Sequence, residues 1–309
     1  MQQARLDDTD LRIIRLLARD SRAPYKDIAS AVGISSNAAK ERINKMVSNG
    51  AIERFAVRIN PVIFGYEREC ILTLTNIDKT FEEQRILNRV SLVGDVIVYV
   101  RHLEGTAGLV LYVRAGAEDK VSKLADLLKP ASVESIFVSY RPITMRIHKS
   151  DFQIIKCLLS NSRMPIHDIA KEASLSTKTV TRRLEKMREN HILQFSILTN
   201  LTSIQQTGYI EFAALINLDT YYYQRIIDKI YEEMEEYLFY IANSYQKEVI
   251  FAVFFCANIS TVNSILRTLE SYDGVKEVKD FIGTRRVYYQ DWLKREIDKR
   301  IGQKHIHQQ

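Results

Sequence analysis

This chain of 309 residues repeats itself, and that fact constrains its fold more than any other. Asp10-Leu-Arg-Ile-Ile-Arg-Leu-Leu returns as Asp151-Phe-Gln-Ile-Ile-Lys-Cys-Leu, 141 positions later. The register then holds through Ser21-Arg22-Ala23-Pro24 on Ser162-Arg163-Met164-Pro165, Asp27-Ile28-Ala29 on Asp168-Ile169-Ala170, and Lys45-Met46 on Lys186-Met187. Gly65-Tyr66 comes back as Gly208-Tyr209, 143 positions on, so the second copy has gained two residues in between. The chain is two copies of one long unit, and the fold of the first predicts that of the second.

Within the first unit the acidic cluster Asp7, Asp8 and Asp10 precedes Leu11, Ile14, Leu17 and Ala18 at helical spacing, a start that suits the helix dipole. Pro24 opens a second short helix over residues 25–32 with Ile28, Ala29 and Val32 inward, and Gly33 supplies a turn. Ser35 then caps a third helix whose buried face carries Ala39, Ile43, Met46 and Val47. Three short helices with a tight turn before the third predict a helix-turn-helix.

The alternation of Ala51 to Ile59 predicts a strand, as a wing or a strand linker. Beyond it the pattern changes. Strands are predicted over 69–77, 95–102, 109–114 and 133–140, with helices over 80–93 and 117–128, a βαββαβ order that builds an antiparallel sheet with both helices on one face. The second unit repeats the scheme: a helix-turn-helix over 151–191, strands over 209–218, 237–244, 249–257 and 278–283, and helices over 221–235 and 260–272. From Asp291 onward, Trp292, Ile297 and Ile301 predict a terminal packing helix. The expected class is therefore α+β, two repeats of a winged helix-turn-helix followed by a ferredoxin-like antiparallel sheet domain. The expected segments are 1–60 and 147–200 for the helix-turn-helix units, 61–146 and 201–287 for the sheet domains, and 288–309 for the C-terminal helix and tail.

Net charge is +6, and its distribution follows the repeat. Residues 1–60 hold 11 Lys+Arg against 7 Asp+Glu, and residues 146–200 hold 10 against 5. The two sheet segments are acidic, with 10 against 11 over 61–145 and 8 against 12 over 201–287. Positive charge thus sits where the helix-turn-helix units are, as attraction to phosphate requires. No apolar run reaches the ~18 residues of a membrane span, and the start MQQARLDDTD is polar, so a cytosolic protein is expected. Cys70, Cys157 and Cys256 lie far apart within apolar runs and read as reduced core residues.

Side chains off the apolar stripe of the third helix are Ser36, Asn37, Lys40, Glu41, Asn44 and Lys45, and in the second copy Thr177, Lys178, Thr181, Arg182, Glu185 and Lys186. Short polar groups near the helix N-terminus can approach base edges, while Lys and Arg further along reach phosphate or guanine. One such helix alone is an ordinary solvated face. Two aligned copies, each in a basic segment, point to double-stranded DNA. The expected contacts are Ser36, Asn37, Lys40, Arg42 and Lys45, with Thr177, Lys178, Thr181, Arg182, Arg183 and Lys186. Arg42 and Arg183 align with each other, and either hold phosphate or pair with a neighbouring acid. The second copy is expected to read DNA more strongly, since Arg182, Arg183, Lys186 and Arg188 outnumber Lys40, Arg42 and Lys45, and Glu41 weakens the first.

No cofactor, metal or catalytic centre is expected. His102, His148, His167 and His191 have no metal-ligand spacing, His305 and His307 sit in the tail, and no phosphate-cradling glycine loop, GxSxG or HExxH occurs. Tyr221, Tyr222 and Tyr223 open a helix and are expected to pack rather than to stack on bases.

The segment Leu6-Asp7-Asp8-Thr9-Asp10-Leu11-Arg12-Ile13-Ile14 resembles the start of the Lrp/AsnC family of transcription regulators. Asp20 to Ala29, Val32-Gly33-Ile34-Ser35 and, in the second copy, Leu175 to Leu184 look like its next landmarks. The resemblance implies a winged helix-turn-helix followed by a domain that dimerises sheet to sheet and, in many members, binds an amino-acid effector. It also implies a fused pseudo-dimer of the kind found in archaea, with the two sheets packed within one chain and a homo-oligomer built on it. The family's glycine and nearby aspartate between the middle strands have no full counterpart here: Gly105-Thr106-Ala107-Gly108 lacks the aspartate and Ser244 to Glu248 lacks the glycine. Siroheme decarboxylases share the same plan and offer an enzymatic alternative, for which His102 is the one candidate residue; a DNA-coating architectural protein is a further alternative.

Overall fold

The computed structural model describes residues 6–77, 83–103, 105–244 and 247–302. The expected helix start at residues 80–82, Glu104, Tyr245, Gln246 and the tail histidines His305 and His307 fall outside them, as do residues 1–5 of the polar start.

Each unit opens with three helices, α1 (Asp8–Arg19), α2 (Tyr25–Val32) and α3 (Ser36–Ser48) in the first, α6 (Lys149–Ser160), α7 (Ile166–Glu172) and α8 (Thr177–Glu189) in the second. Asp7 caps α1 reciprocally with Asp10: the Asp10 amide donates to Asp7 Oδ1 at 2.9 Å, and the Asp7 amide donates to Asp10 Oδ2 at 3.1 Å. Gly33 closes α2 in the left-handed region (φ 76°), and its repeat equivalent Ser174 is held there too (φ 55°). Gly50 (φ 80°) and His191 (φ 54°) form the same kind of pair after α3 and α8.

The strand that leaves each recognition helix, β1 (Ile52–Ile59) and β6 (Leu193–Thr199), does not fold back as a wing hairpin. It pairs antiparallel with its counterpart from the other unit, in a register of Val57 opposite Phe195. Of the two expectations, wing or strand linker, the linker is found.

The βαββαβ order is present in both units. The first comprises β2 (Arg68–Thr75), α4 (Glu83–Val90), β3 (Asp95–His102), β4 (Ala107–Val113), α5 (Glu118–Leu127) and β5 (Ser132–Ser139). The second follows a short α9 (Leu201–Gln205) and comprises β7 (Ile210–Leu218), α10 (Tyr223–Met234), β8 (Leu238–Asn243), β9 (Val249–Cys256), α11 (Ile259–Glu270) and β10 (Val275–Tyr288). α12 (Asp291–Gly302) completes the chain. In each module the alternate residues of the strands split between two faces, one covered by the helices: Cys70, Leu72 and Leu74 meet α4 and α5, and Phe212, Ala214 and Ile216 meet α10 and α11.

The two modules join within the chain, edge to edge. All eight strands form one sheet in the order β5-β2-β4-β3-β10-β7-β9-β8. β10 makes the joint, because its first half pairs with β7 (Val278 opposite Ile216) and its second half with β3 (Val287 opposite Tyr99). It is longer than the 278–283 expected, since the run Thr284-Arg285-Arg286 breaks the apolar alternation. Gly283 sits at the crossover, where an added Cβ would lie 2.8 Å from Leu201 Cδ1. The helix-free faces of the two modules also turn toward each other and touch through Ile71, Val138, Leu215 and Val249.

The cores of the helix-turn-helix units cross between copies. α1, α2 and α3 close on Ile197, Ile204 and Phe255 of the second unit. α6, α7 and α8 close on Val57, Ile59, Phe64 and Tyr66 of the first unit and on Trp292, Leu293 and Ile297 of α12. The equivalent arginines reach across in mirrored fashion: Arg22 Nη1 donates to the Ser162 carbonyl at 3.1 Å, and Arg163 donates to the Ala23 carbonyl and the Tyr25 hydroxyl, both at 3.1 Å. The three cysteines are buried free thiols. Tyr223 packs as expected at 4% exposure, whereas Tyr221 does not: it stands 86% exposed, its ring at right angles to that of Tyr222, because it precedes the helix in a short 3-10 turn.

Candidate nucleic-acid interface

Both recognition helices begin on a serine cap. Ser35 accepts from the Ala38 amide at 3.2 Å and Ser176 from the Thr179 amide at 3.1 Å, which fixes where each helix starts and which residues lead it. Ala39, Ile43 and Met46 are buried under α3, and Val180, Leu184 and Met187 under α8. The opposite faces are free: Ser36, Asn37, Lys40 and Lys45 on α3, and Thr177, Lys178, Thr181, Arg182 and Lys186 on α8 are exposed. These nine expected site residues therefore form two short polar-and-basic faces.

Arg42 and Arg183 do not join them. Arg42 Nη1 lies 2.8 Å from both Asp7 Oδ2 and Asp10 Oδ1. Arg183 grips Asp151 with two donors, Nε on Oδ1 at 2.5 Å and Nη2 on Oδ2. Asp151 is fully buried and the Arg183 side chain is 11% exposed. Of the two roles open to this arginine in the sequence, pairing with an acid is the one found. Each flanks the buried stripe by one position, before Ile43 and before Leu184, so it swings under the helix and ties it to the cap of α1 or α6. Arg188, counted toward the stronger second reader, is also engaged, with Nη2 2.7 Å from Asp20 of the first unit. What remains without an ion pair among the described residues is Lys40 and Lys45 on one helix and Lys178, Arg182 and Lys186 on the other.

The β1–β6 ribbon that carries both helices also closes a hollow of about 250 Å³ between the two sheet modules. Its apolar wall includes Ile71, Val98, Val110, Phe251 and Phe281. Two charged clusters face it, one from each sheet module. Glu211 is held by Arg286 in a two-pronged pair, Nη1–Oε1 2.7 Å and Nη2–Oε2 3.0 Å, while Glu69 accepts from the Tyr140 hydroxyl instead. Burial pushes both carboxyls up from the usual range. His102 sits in the same hollow, its Nδ1 3.0 Å from Thr106 Oγ1 and its ring stacked on Phe281; burial pushes it down to about 4. The sequence reading missed these groups apart from His102. A signal exists in the second unit, where Glu211 interrupts the otherwise apolar strand start Ile210-Glu211-Phe212-Ala213.

A duplicated helix-turn-helix scaffold with two exposed polar-and-basic recognition faces on a paired sheet base is the architecture of a DNA-binding regulator. The family model for the AsnC-type helix-turn-helix domain matches residues 6–47, and one for winged helix-turn-helix DNA-binding matches residues 147–194. The HTH-type transcriptional regulator LrpA of Pyrococcus horikoshii is 30% identical over 127 residues, covering 40% of this chain and 83% of the relative. The regulator FL11 of Pyrococcus furiosus is 25% identical over 149 residues, covering 48% of this chain and 95% of the relative. Among solved structures the siroheme decarboxylase NirDL superposes over 96% of this chain and 98% of its own, with a TM-score of 0.52 at 14% identity, a likeness of fold. The chain belongs to the Lrp/AsnC family of transcription regulators, with two helix-turn-helix units in tandem.

Proposed function

We propose that this protein is a cytosolic, sequence-specific DNA-binding regulator that lays two unequal recognition helices on DNA from a single chain. Ser36, Asn37, Thr177 and Thr181 are the base-reading side chains, and Lys40, Lys45, Lys178, Arg182 and Lys186 supply phosphate and guanine contacts. Arg42 and Arg183 set the pose of the helices and do not touch DNA. The observation that carries this reading is the pairing of β1 with β6, which makes one ribbon the base of both helices and so fixes their separation.

Because the two faces differ, one chain suits an asymmetric site, and a palindrome calls for a homo-oligomer of this pseudo-dimer. Selection from a random DNA pool tests the proposal: a regulator enriches a defined motif, whereas a protein that only coats DNA enriches none. A gel-shift titration of the selected site against size-exclusion chromatography with light scattering then assigns one or two chains per site.

The regulator reading is preferred to a decarboxylase. His102 is the one histidine among the described residues that line the hollow, and Gly108 stands against its ring, where even a Cβ would come within 3.0 Å. A tetrapyrrole absorbance band on the purified protein would overturn the preference.

A further inference from the structure

The two recognition helices carry opposite charge at the same point of their exposed faces. Glu41 and Arg182 are equivalent in the repeat, 141 positions apart, and each is the sixth residue of its helix. Glu41 stands two residues after Ala39 and two before Ile43, both buried. At 3.6 residues per turn each of those steps is about 200°, so Glu41 points directly away from the buried stripe. Arg182 stands in the same way between buried Val180 and Leu184. Each is the middle of its face, with Asn37 or Lys178 one turn before it and Lys45 or Lys186 one turn after. Both are exposed, and neither has an ion pair or side-chain hydrogen bond among the described residues; even Lys45 is beyond ion-pair distance of Glu41. The two side chains ask opposite things of a base edge, because a guanidinium only donates hydrogen bonds and a carboxylate only accepts them. In the major groove guanine presents two acceptors, O6 and N7, whereas cytosine presents its N4 amino donor with no acceptor on the same base. Adenine's amino group lies beside the N7 acceptor, which repels a carboxylate. Set against DNA, a carboxylate also meets phosphate repulsion, so it discriminates between bases more than it adds affinity.

We propose that Glu41 is a specificity-determining residue, which reads cytosine in the half-site under α3 at the step where Arg182 reads guanine in the half-site under α8. This rests on the DNA-binding function proposed above and adds to it the base pair at which the two half-sites differ. One exchange of charge between the copies makes the preferred site asymmetric at that pair.

Selection from a random pool of double-stranded DNA is run with the full-length wild type, Glu41→Ala, Glu41→Arg and Arg182→Ala. Because both positions are exposed, all three variants are expected to keep the wild-type melting midpoint by circular dichroism. The wild type is expected to enrich a two-part motif with guanine in one half and cytosine at the equivalent step of the other. Arg182→Ala loses the guanine preference and so marks the half under α8. Glu41→Ala loses the cytosine preference alone, while Glu41→Arg changes it to guanine and makes the halves alike. Compared with the selected duplex, one with that single pair inverted should bind wild type at least about tenfold more weakly and Glu41→Arg at least about tenfold more tightly, by fluorescence anisotropy at fixed salt. A motif that both Glu41 variants leave unchanged overturns the role of Glu41 and leaves the DNA-binding function standing. So does an affinity change that is equal for every duplex, the mark of a residue that acts through charge alone. A motif with one half only, or with a base other than cytosine at that step, also overturns it. A wild type that enriches no motif overturns the sequence-specific function itself, and the assignment of Glu41 with it.

Discussion

Arg183 is the residue whose loss separates structure from recognition. Its removal strands a fully buried Asp151 carboxylate, and Arg183→Ala is expected to lower stability by about 3–5 kcal/mol, measured by urea unfolding. Arg42→Ala is milder, about 1–2 kcal/mol: Arg42 is 34% exposed and Asp7 half in solvent, and the buried Asp10 carboxylate keeps its hydrogen bond from the Asp7 amide. By contrast, Arg182→Ala with Lys186→Ala is expected to leave the unfolding midpoint within error and to weaken DNA binding more than Lys40→Ala with Lys45→Ala, read by gel shift at fixed salt. Sequence could place these basic residues on the right helices but not divide them. Arg42 and Arg183 flank the buried stripe, where a long side chain reaches either way, and only the position of Asp10 or Asp151 on a neighbouring helix decides. His102 gives a pH signature. Burial holds it at about 4 in the folded chain against about 6.5 when unfolded, so the unfolded state takes up a proton first as pH falls. Stability from this residue is full above about pH 6.5 and is lost between 6.5 and 4, by up to about 3 kcal/mol. His102→Gln is expected to flatten the pH dependence of chemical unfolding in that window.

At the level of elements, the repeat was legible because its landmarks are local: caps, turn residues and the 3.6-residue stripe survive divergence between copies. What diverged is informative. Ser174 and His191 occupy left-handed positions where the first copy has Gly33 and Gly50, a backbone that costs an L side chain about 1 kcal/mol. Ser174→Gly and His191→Gly are each expected to raise the unfolding free energy by up to about 1 kcal/mol, and Gly33→Ala to lower it similarly, all checked by denaturant midpoint. β10 was the least legible element. Its second half pairs with a strand more than 170 residues away and carries arginines whose partners lie elsewhere in the fold, so no local alternation announces it. The two-stranded β1–β6 ribbon was legible as strands, but their pairing was not, since both candidates for β1, a hairpin wing and a distant partner, leave the same alternating pattern.

For the whole molecule, the division of charge predicts how it meets DNA. Basic helix-turn-helix segments on acidic sheet segments orient the chain, and affinity should fall steeply with salt. Each phosphate contact removed should reduce the slope of log affinity against log salt by about 1, so the Arg182→Ala, Lys186→Ala pair is expected to lower it by up to ~2, measured by fluorescence anisotropy over a salt series. The crossing of cores between the copies has a further consequence, for the order in which this protein can come into being. As the chain leaves the ribosome, α1, α2 and α3 emerge well before the residues that close over them, since Ile197 and Ile204 follow some 150 residues later. During synthesis at roughly 5–20 residues per second the first three helices wait on the order of ten seconds or more with their apolar face open. The N-terminal half, though it reads like a complete one-unit regulator, is thus a nascent intermediate rather than an independent part, and the second copy is the partner it was waiting for.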